Sequence, residues 1–264
     1  MEMTFEKQSF MKKLKSMLKV DFKRMFTMPL VYIMAGIGFI LPILILVMTT
    51  MMGGGQEDTA IGVETMVEAF TNVWQSIGSV SGSTMAMDLT SMCNINMLYF
   101  LVAVLVCVFV SEDFKSGYAK NLFAVRSQKI DYVFSKTLVT FVGAVIMFLM
   151  YFIGAMIGGA IAGLPFTMEG FSAGGVVACL FSKIFIIAVF VSLSLLLSVI
   201  AKQKLWLSIV GSFAAGMLLF TMIPMIAPLN ASLLNVIMCL AGGTIFAVGI
   251  GAVSNVVLNK TSLV

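Results

Sequence analysis

Histidine is missing altogether from the 264 residues. That removes imidazole acid–base chemistry, histidine-ligated zinc and every nucleophile that relies on a histidine partner. Charge is scarce too: Asp, Glu, Lys and Arg make up 11% of the chain, where an ordinary globular domain carries about 25%. The net formal charge of +4 is too small to point to nucleic acid, and no nucleic-acid partner is expected. The four cysteines, Cys93, Cys107, Cys179 and Cys239, have no metal-ligand spacing. A phosphate-binding Gly-x-x-x-x-Gly-Lys-Ser/Thr loop is also lacking; the run Gly53-Gly54-Gly55 leads into Gln56-Glu57 instead. The sequence therefore predicts no cofactor, no metal and no catalytic machinery in this chain.

Apolar residues are abundant, at 60% of the chain. A soluble fold cannot hide that much, so the surplus is expected to face lipid. Apolar runs of membrane-crossing length are predicted at about 30–52, 95–110, 138–163, 174–200, 205–227 and 233–258. These six spans define an all-α integral membrane protein, with a single transmembrane domain over residues 30–264. The first run begins too late and lasts too long for a secretory signal core. Residues 53–92 contrast with the rest: they are rich in Gly, Ser and Thr, and carry Glu57, Asp58, Glu64, Glu68 and Asp88 but no Lys or Arg.

Orientation follows from the basic residues. Seven precede the first run after the initiating residues, five lie between the second and third (Lys115, Lys120, Arg126, Lys129, Lys136), two between the fourth and fifth, and Lys260 follows the sixth. In a six-span topology all of these share one side, which the positive-inside rule places in the cytoplasm with both termini. The remaining one is Lys183. It precedes Lys202 by 19 residues, so on a continuous helix it stands roughly 28 Å away, near the outer interface. A lysine there snorkels to the outer headgroups, the preferred reading, or else lines a path and pairs with Glu169 or Asp88.

Residues Phe10 to Phe26 read as an amphipathic helix. Phe10, Leu14, Met17, Leu18, Phe22, Met25 and Phe26 fall on one face, and Lys12, Lys15, Lys19 and Lys23 on the other. Such a helix lies on the cytoplasmic leaflet, drawn by anionic lipid, before Pro29 turns the chain into the first span. Asp21 is the one defect in its apolar stripe. The helix serves either as a topological anchor or as an elbow that also meets a cytoplasmic partner.

The loop Ser111–Lys136 is short, charged and studded with apolar residues, and a small helix is expected around Gly117–Val125. Phe114, Leu122, Phe123 and Val125 either dock into something outside the membrane or pack beneath the bundle. Its pattern, Glu112-Asp113-Phe114, Gly117, Lys120-Asn121-Leu122, Arg126 and Lys136, resembles the permease subunits of type-2 ATP-binding-cassette exporters. The resembling branch is common in Gram-positive bacteria and includes exporters of bacitracin-like and lantibiotic-type peptides. Two positions depart from the commoner form: Tyr118 follows Gly117 where Thr is usual, and Ala124-Val125 stands where a proline often precedes the arginine.

The resemblance implies a coupling helix in this loop, seated on a separate ATPase dimer that binds ATP and Mg, with contacts near Glu112, Phe114, Gly117, Lys120, Leu122 and Arg126. It implies a second permease copy or a sister permease, a bacterial cell membrane, and a peptide or lipophilic cargo. It also implies that the second and fifth spans face a central path, where Tyr99, Phe100, Phe213, Met217 and Phe220 would form an aromatic and Met-rich surface, although ordinary packing accounts for any one of them more simply. Small-residue repeats at Gly154/Gly158, Gly159/Gly163 and Gly243/Ala247/Gly251 suit close helix packing within one subunit. Three rivals are a secondary transporter or channel, an intramembrane enzyme and a non-transporting immunity protein. Apart from Lys183 the spans lack the mid-membrane charges of the first, and no paired acids serve the second.

Overall fold

The computed structural model describes residues 10–53, 70–79, 93–125 and 129–260, and every regular element among them is helical. In chain order these are α1 (Phe10–Thr27), α2 (Pro29–Gly53), α3 (Leu98–Lys115), α4 (Tyr118–Val125), α5 (Ile130–Ile161), α6 (Ala173–Ala201), α7 (Leu205–Phe220), α8 (Ile223–Ile226) and α9 (Leu233–Lys260). Short 3-10 turns occupy Val73–Ser76 and Ile95–Met97. Five helices are long and apolar enough to cross a membrane, and the protein is a multi-pass membrane protein by that criterion.

The run predicted at 205–227 is broken near its prolines, as a segment with Pro224 and Pro228 requires. It divides into α7, of 16 residues, and the single turn α8. Pro224 lies in the first turn of α8, where its missing N–H costs nothing, and Pro228 follows the end. At 1.5 Å per residue α7 reaches about 24 Å, short of the roughly 30 Å hydrocarbon thickness.

Two other ends also differ from the hydropathy reading. The third span begins at Ile130 rather than near Leu138, and the second continues past Val110 to Lys115. Both extensions carry charged residues that a hydropathy window takes for loop. In these extensions Asp113 and Lys136 are paired inside the fold, while Glu112 and Lys115 face outward.

Helices α3, α5 and α6 form the centre of the bundle, with α2 packed along α5, α9 along α6, and α7 against α6 and α3. Glycines set the closest approaches. A Cβ on Gly154 would strike the backbone oxygen of Phe39 and come within 2.9 Å of Pro42 Cγ. One on Gly158 would lie 2.7 Å from Ile43 Cα, and one on Gly243 2.6 Å from the Phe185 carbonyl oxygen. Gly154 and Gly158 on α5 and Gly243 on α9 thus set the α2–α5 and α9–α6 contacts within the chain, as small residues do where lipid gives no hydrophobic drive. Pro42 leaves α2 unbroken and is buried beside Gly154.

Of residues 54–92 the structure describes 70–79, which tuck over the bundle end away from α1. Val73 N–H donates to the Pro165 carbonyl, Trp74 sits edge-on to Phe166 and Phe171, and Ile77 is buried with Val176, Cys179 and Leu229. Cys93 and Cys179 are both free thiols, and Cys179 Sγ donates to the Ala227 carbonyl.

Candidate functional site

The densest chemistry lies at the end of the bundle where α1, α3, α4 and α5 meet. The periodicity of α1 brings Leu14, Met17 and Met25 against the bundle and leaves Lys12, Lys15, Lys19 and Lys23 outside. Asp21 falls on the buried side and is fully enclosed. It is therefore not a defect in the stripe. Lys136 Nζ donates to Asp21 Oδ1 at 2.8 Å, and Ser135 Oγ donates to Oδ2 at 2.6 Å. The same ammonium stands 2.7 Å from Asp113 Oδ2 and 4.0 Å above the ring of Phe109. Tyr132 Oη donates to Asp113 from the facing turn of α5, and Arg24 Nη1 lies 2.7 Å from Asp113 Oδ1, off the hydrogen-bond direction.

The result is two carboxylates and two cations in a nearly dry site. Each buried charge would be expensive alone; together they compensate, and the surrounding low dielectric strengthens the pairing. Tyr118 of α4 closes the cluster with its ring 4.1 Å from the Arg24 guanidinium carbon. Burial pushes its phenol above the usual tyrosine range, Asp21 and Asp113 add to that, and Arg24 opposes it. Burial works against the charge of Arg24, but Asp113, Tyr118 and Asp21 outweigh it and hold the guanidinium protonated. One network thus joins the amphipathic helix, the end of α3, the loop helix and the start of α5.

The loop itself is built around Gly117. Helix α3 ends at Ser116, whose N–H bonds the Glu112 carbonyl; Gly117 adopts φ +74°, where a Cβ is disfavoured, and α4 starts at once. Phe114 is buried, Leu122 and Phe123 pack on the core, and Phe123 lies edge-on to Tyr132 at 5.2 Å. Lys129 Nζ donates to the Leu258 carbonyl at 2.6 Å, tying the end of α9 to the same loop.

Of the two apolar residues named for a partner contact, Phe114 is buried and Leu122 half-buried against the core, because an apolar face on so short a helix finds burial beneath the bundle. Glu112 and Lys120 are exposed, with Lys115, Ser116 and Asn121 beside them, and Gly117 is half-buried. Arg126 lies outside the described residues, as does Asp88. Phe114→Asp is expected to bury a carboxylate next to Asp113 and to cost roughly 3 kcal/mol or more. Its signature is loss of monodisperse protein in size-exclusion chromatography, which makes it unsuitable as a surface probe.

The five aromatic and methionine residues assigned to a path do not share one open surface. Tyr99 is enclosed, stacked on Phe190 at 4.6 Å and tilted against Phe148 at 5.4 Å. Phe100 meets Phe213 and Phe220 at 5.2 and 5.3 Å in the seam between α3 and α7. Phe213 sits at the edge of that seam and is 36% exposed, and Met217 lies on the exposed side of α7.

Lys183 is the largest departure from expectation. It does not snorkel: it is fully buried, roughly 15 Å along α6 from the first residue of that helix. The reason lies above it, where residues 70–79 and the 227–231 segment cover Cys179 and close the N-terminal end of α6. Its Nζ donates to Asn96 Oδ1 at 2.5 Å, and its carbonyl accepts from Tyr99 Oη at 3.0 Å. Glu169, one of its two expected partners, is exposed on the 162–172 connection.

No group of metal-ligating side chains occurs among the described residues. Comparison with protein-family models, with curated proteins and with solved structures finds no match.

Proposed function

We propose that the chain is the membrane-spanning subunit of an ATP-driven exporter of the type-2 ATP-binding-cassette class, working with a separate ATPase dimer and a second permease. The single observation that supports this most is the buried cluster of Asp21, Arg24, Asp113 and Lys136. It makes a rigid block of α1, α4 and the adjoining ends of α3 and α5, and that block presents Glu112, Lys120 and Asn121 outward. A force applied to α4 passes directly into two long helices, which is what coupling to an external motor requires. The positive-inside rule puts this block in the cytoplasm, and α7 with α8 then completes a sixth crossing. A peptide or lipophilic cargo, and a bacterial plasma membrane, follow from the family resemblance of the loop.

The test is co-purification of the tagged chain in mild detergent, wild type against Glu112→Arg/Lys120→Glu. The wild type is expected to bring down a phosphate-loop ATPase in stoichiometric amount. The double variant should lose it with an unchanged Tm, since exposed substitutions shift stability within about 0.5 kcal/mol. If the wild type, with its oligomer intact, carries no ATPase, the exporter reading is wrong. A secondary transporter is the second reading, favoured by the enclosed Lys183, because membrane-buried ionisable groups mark transport pathways. It predicts transport that runs on an ion gradient without the ATPase.

A further inference from the structure

Lys183 and Asn96 form a site made of donors. The ammonium gives one hydrogen bond, to Asn96 Oδ1, and has two N–H groups left. Asn96 Nδ2, on a side chain that is itself 1% exposed, has no partner at all. The Asn96 backbone N–H is already bound to Asn94 Oδ1, which holds the residue in the turn before α3. No carboxylate among the described residues pairs with Lys183, in contrast to the cluster at the other end of the bundle, where each cation has an acid. Along α5, Tyr151 is also enclosed and its hydroxyl is unpartnered, one turn beyond Phe148, which packs on Tyr99.

A positive charge inside a membrane bundle, answered only by a neutral amide, is costly. Natural folds leave few buried donors empty. What satisfies two ammonium N–H groups and an amide NH2 together is an oxyanion, which is acceptor-only and supplies the missing charge. Beside this pair lies Tyr99, bonded to the Lys183 carbonyl and stacked on Phe190, and these rings would receive an apolar remainder of such a ligand.

We propose that Lys183 and Asn96 recognise an oxyanion headgroup, carboxylate or phosphate, carried on an apolar body, and that this is the polar anchor of the exported cargo. The inference rests on the exporter reading. Because Lys183 is sealed in this conformation, the headgroup is taken up when α3 and α6 part. Tyr99, whose hydroxyl joins the two helices at the Lys183 carbonyl, is the latch between them.

The experiment is thermal unfolding of the purified full chain in a neutral detergent, titrated with N-dodecanoylglycine, with dodecyl phosphate, and with the methyl ester of the first as an uncharged control. Either or both anions are expected to raise Tm saturably, and which one does so tells carboxylate from phosphate; the ester is expected to be inert. Lys183→Met should weaken the effect at least about 30-fold, the loss typical of removing one partner from a buried charged pair. Asn96→Asp places a carboxylate on the ammonium from within, so it should fold stably and abolish the anion effect. It also keeps the test decisive if Lys183→Met is poorly produced.

An ester as effective as the acids, no anion effect in the wild type, or undiminished binding in Asn96→Asp would overturn the proposal. ATPase co-purification is read from the same preparations. An ATPase retained without an anion effect removes this inference and leaves the exporter reading standing.

Discussion

Lys136→Met is expected to cost the protein about 3–5 kcal/mol, the range for removing one partner from a buried ionic network. The substitution leaves Asp21 enclosed with only Ser135 as a close hydrogen-bond donor, since Arg24 stands 4.0 Å from it. Asp113 fares better because Arg24 remains 2.7 Å away. The penalty therefore concentrates on Asp21. Adding Asp21→Asn to Lys136→Met should recover much of the stability, since the Arg24–Asp113 pair is then a balanced remainder. A coupling of about 1–3 kcal/mol between the two sites is expected, measured as the difference between double and single variants in denaturant unfolding. Protease sensitivity within α1 should rise in the single variant, because Asp21 and Arg24 are the polar ties that hold α1 to the bundle. A loss below about 1 kcal/mol would mean that water reaches the cluster and that the rigid block does not exist.

Gly154→Val is the second large effect. The obstacle to a side chain here is the carbonyl oxygen of Phe39, with Pro42 beside it, and backbone cannot rotate out of the way as a flexible side chain would. Overpacking of this kind costs about 1–3 kcal/mol and sometimes more. It should separate α2 from α5 over the stretch where Gly158 also sits against Ile43. The control is Gly242→Ala on α9, where an added Cβ meets nothing within 4 Å. That change should be neutral or stabilising by a few tenths of a kcal/mol, because alanine is the better helix former. Tm values for the two variants, taken in one detergent, give the comparison. Equal values would show that α2 and α5 are held apart from the contact seen here.

Much of the architecture was legible because hydropathy over a span-length window is a sum over about 20 side chains and tolerates local error. The long helices, the amphipathic α1 and the short loop helix all follow from that summation and from helical periodicity. The places where the sequence misleads are those where a single charge decides. Asp21 interrupts an apolar stripe and Lys136 precedes an apolar run, so each reads locally as a flaw or a loop residue. Both are core residues, because each is the other's partner across 115 positions of sequence. A charge of each sign, each sitting on the wrong face of its own helix, was the available signal. The pairing itself has no local trace.

Lys183 shows the same limit from the other side. Counting residues from Lys202 placed it at the outer interface, and the count along the helix is sound. What changed its environment was the chain folded over the N-terminal end of α6, whose position no periodicity encodes. The sequence by itself determined that this protein is helical, rich in runs apolar and long enough to cross a membrane, and free of histidine chemistry, because composition and period are properties each segment carries alone. Only the tertiary structure decided which charges are enclosed, which apolar loop residues turn inward and which polar donors are left unmet. Those outcomes depend on contacts between segments far apart in the chain, and burial is a property of the neighbours rather than of the residue.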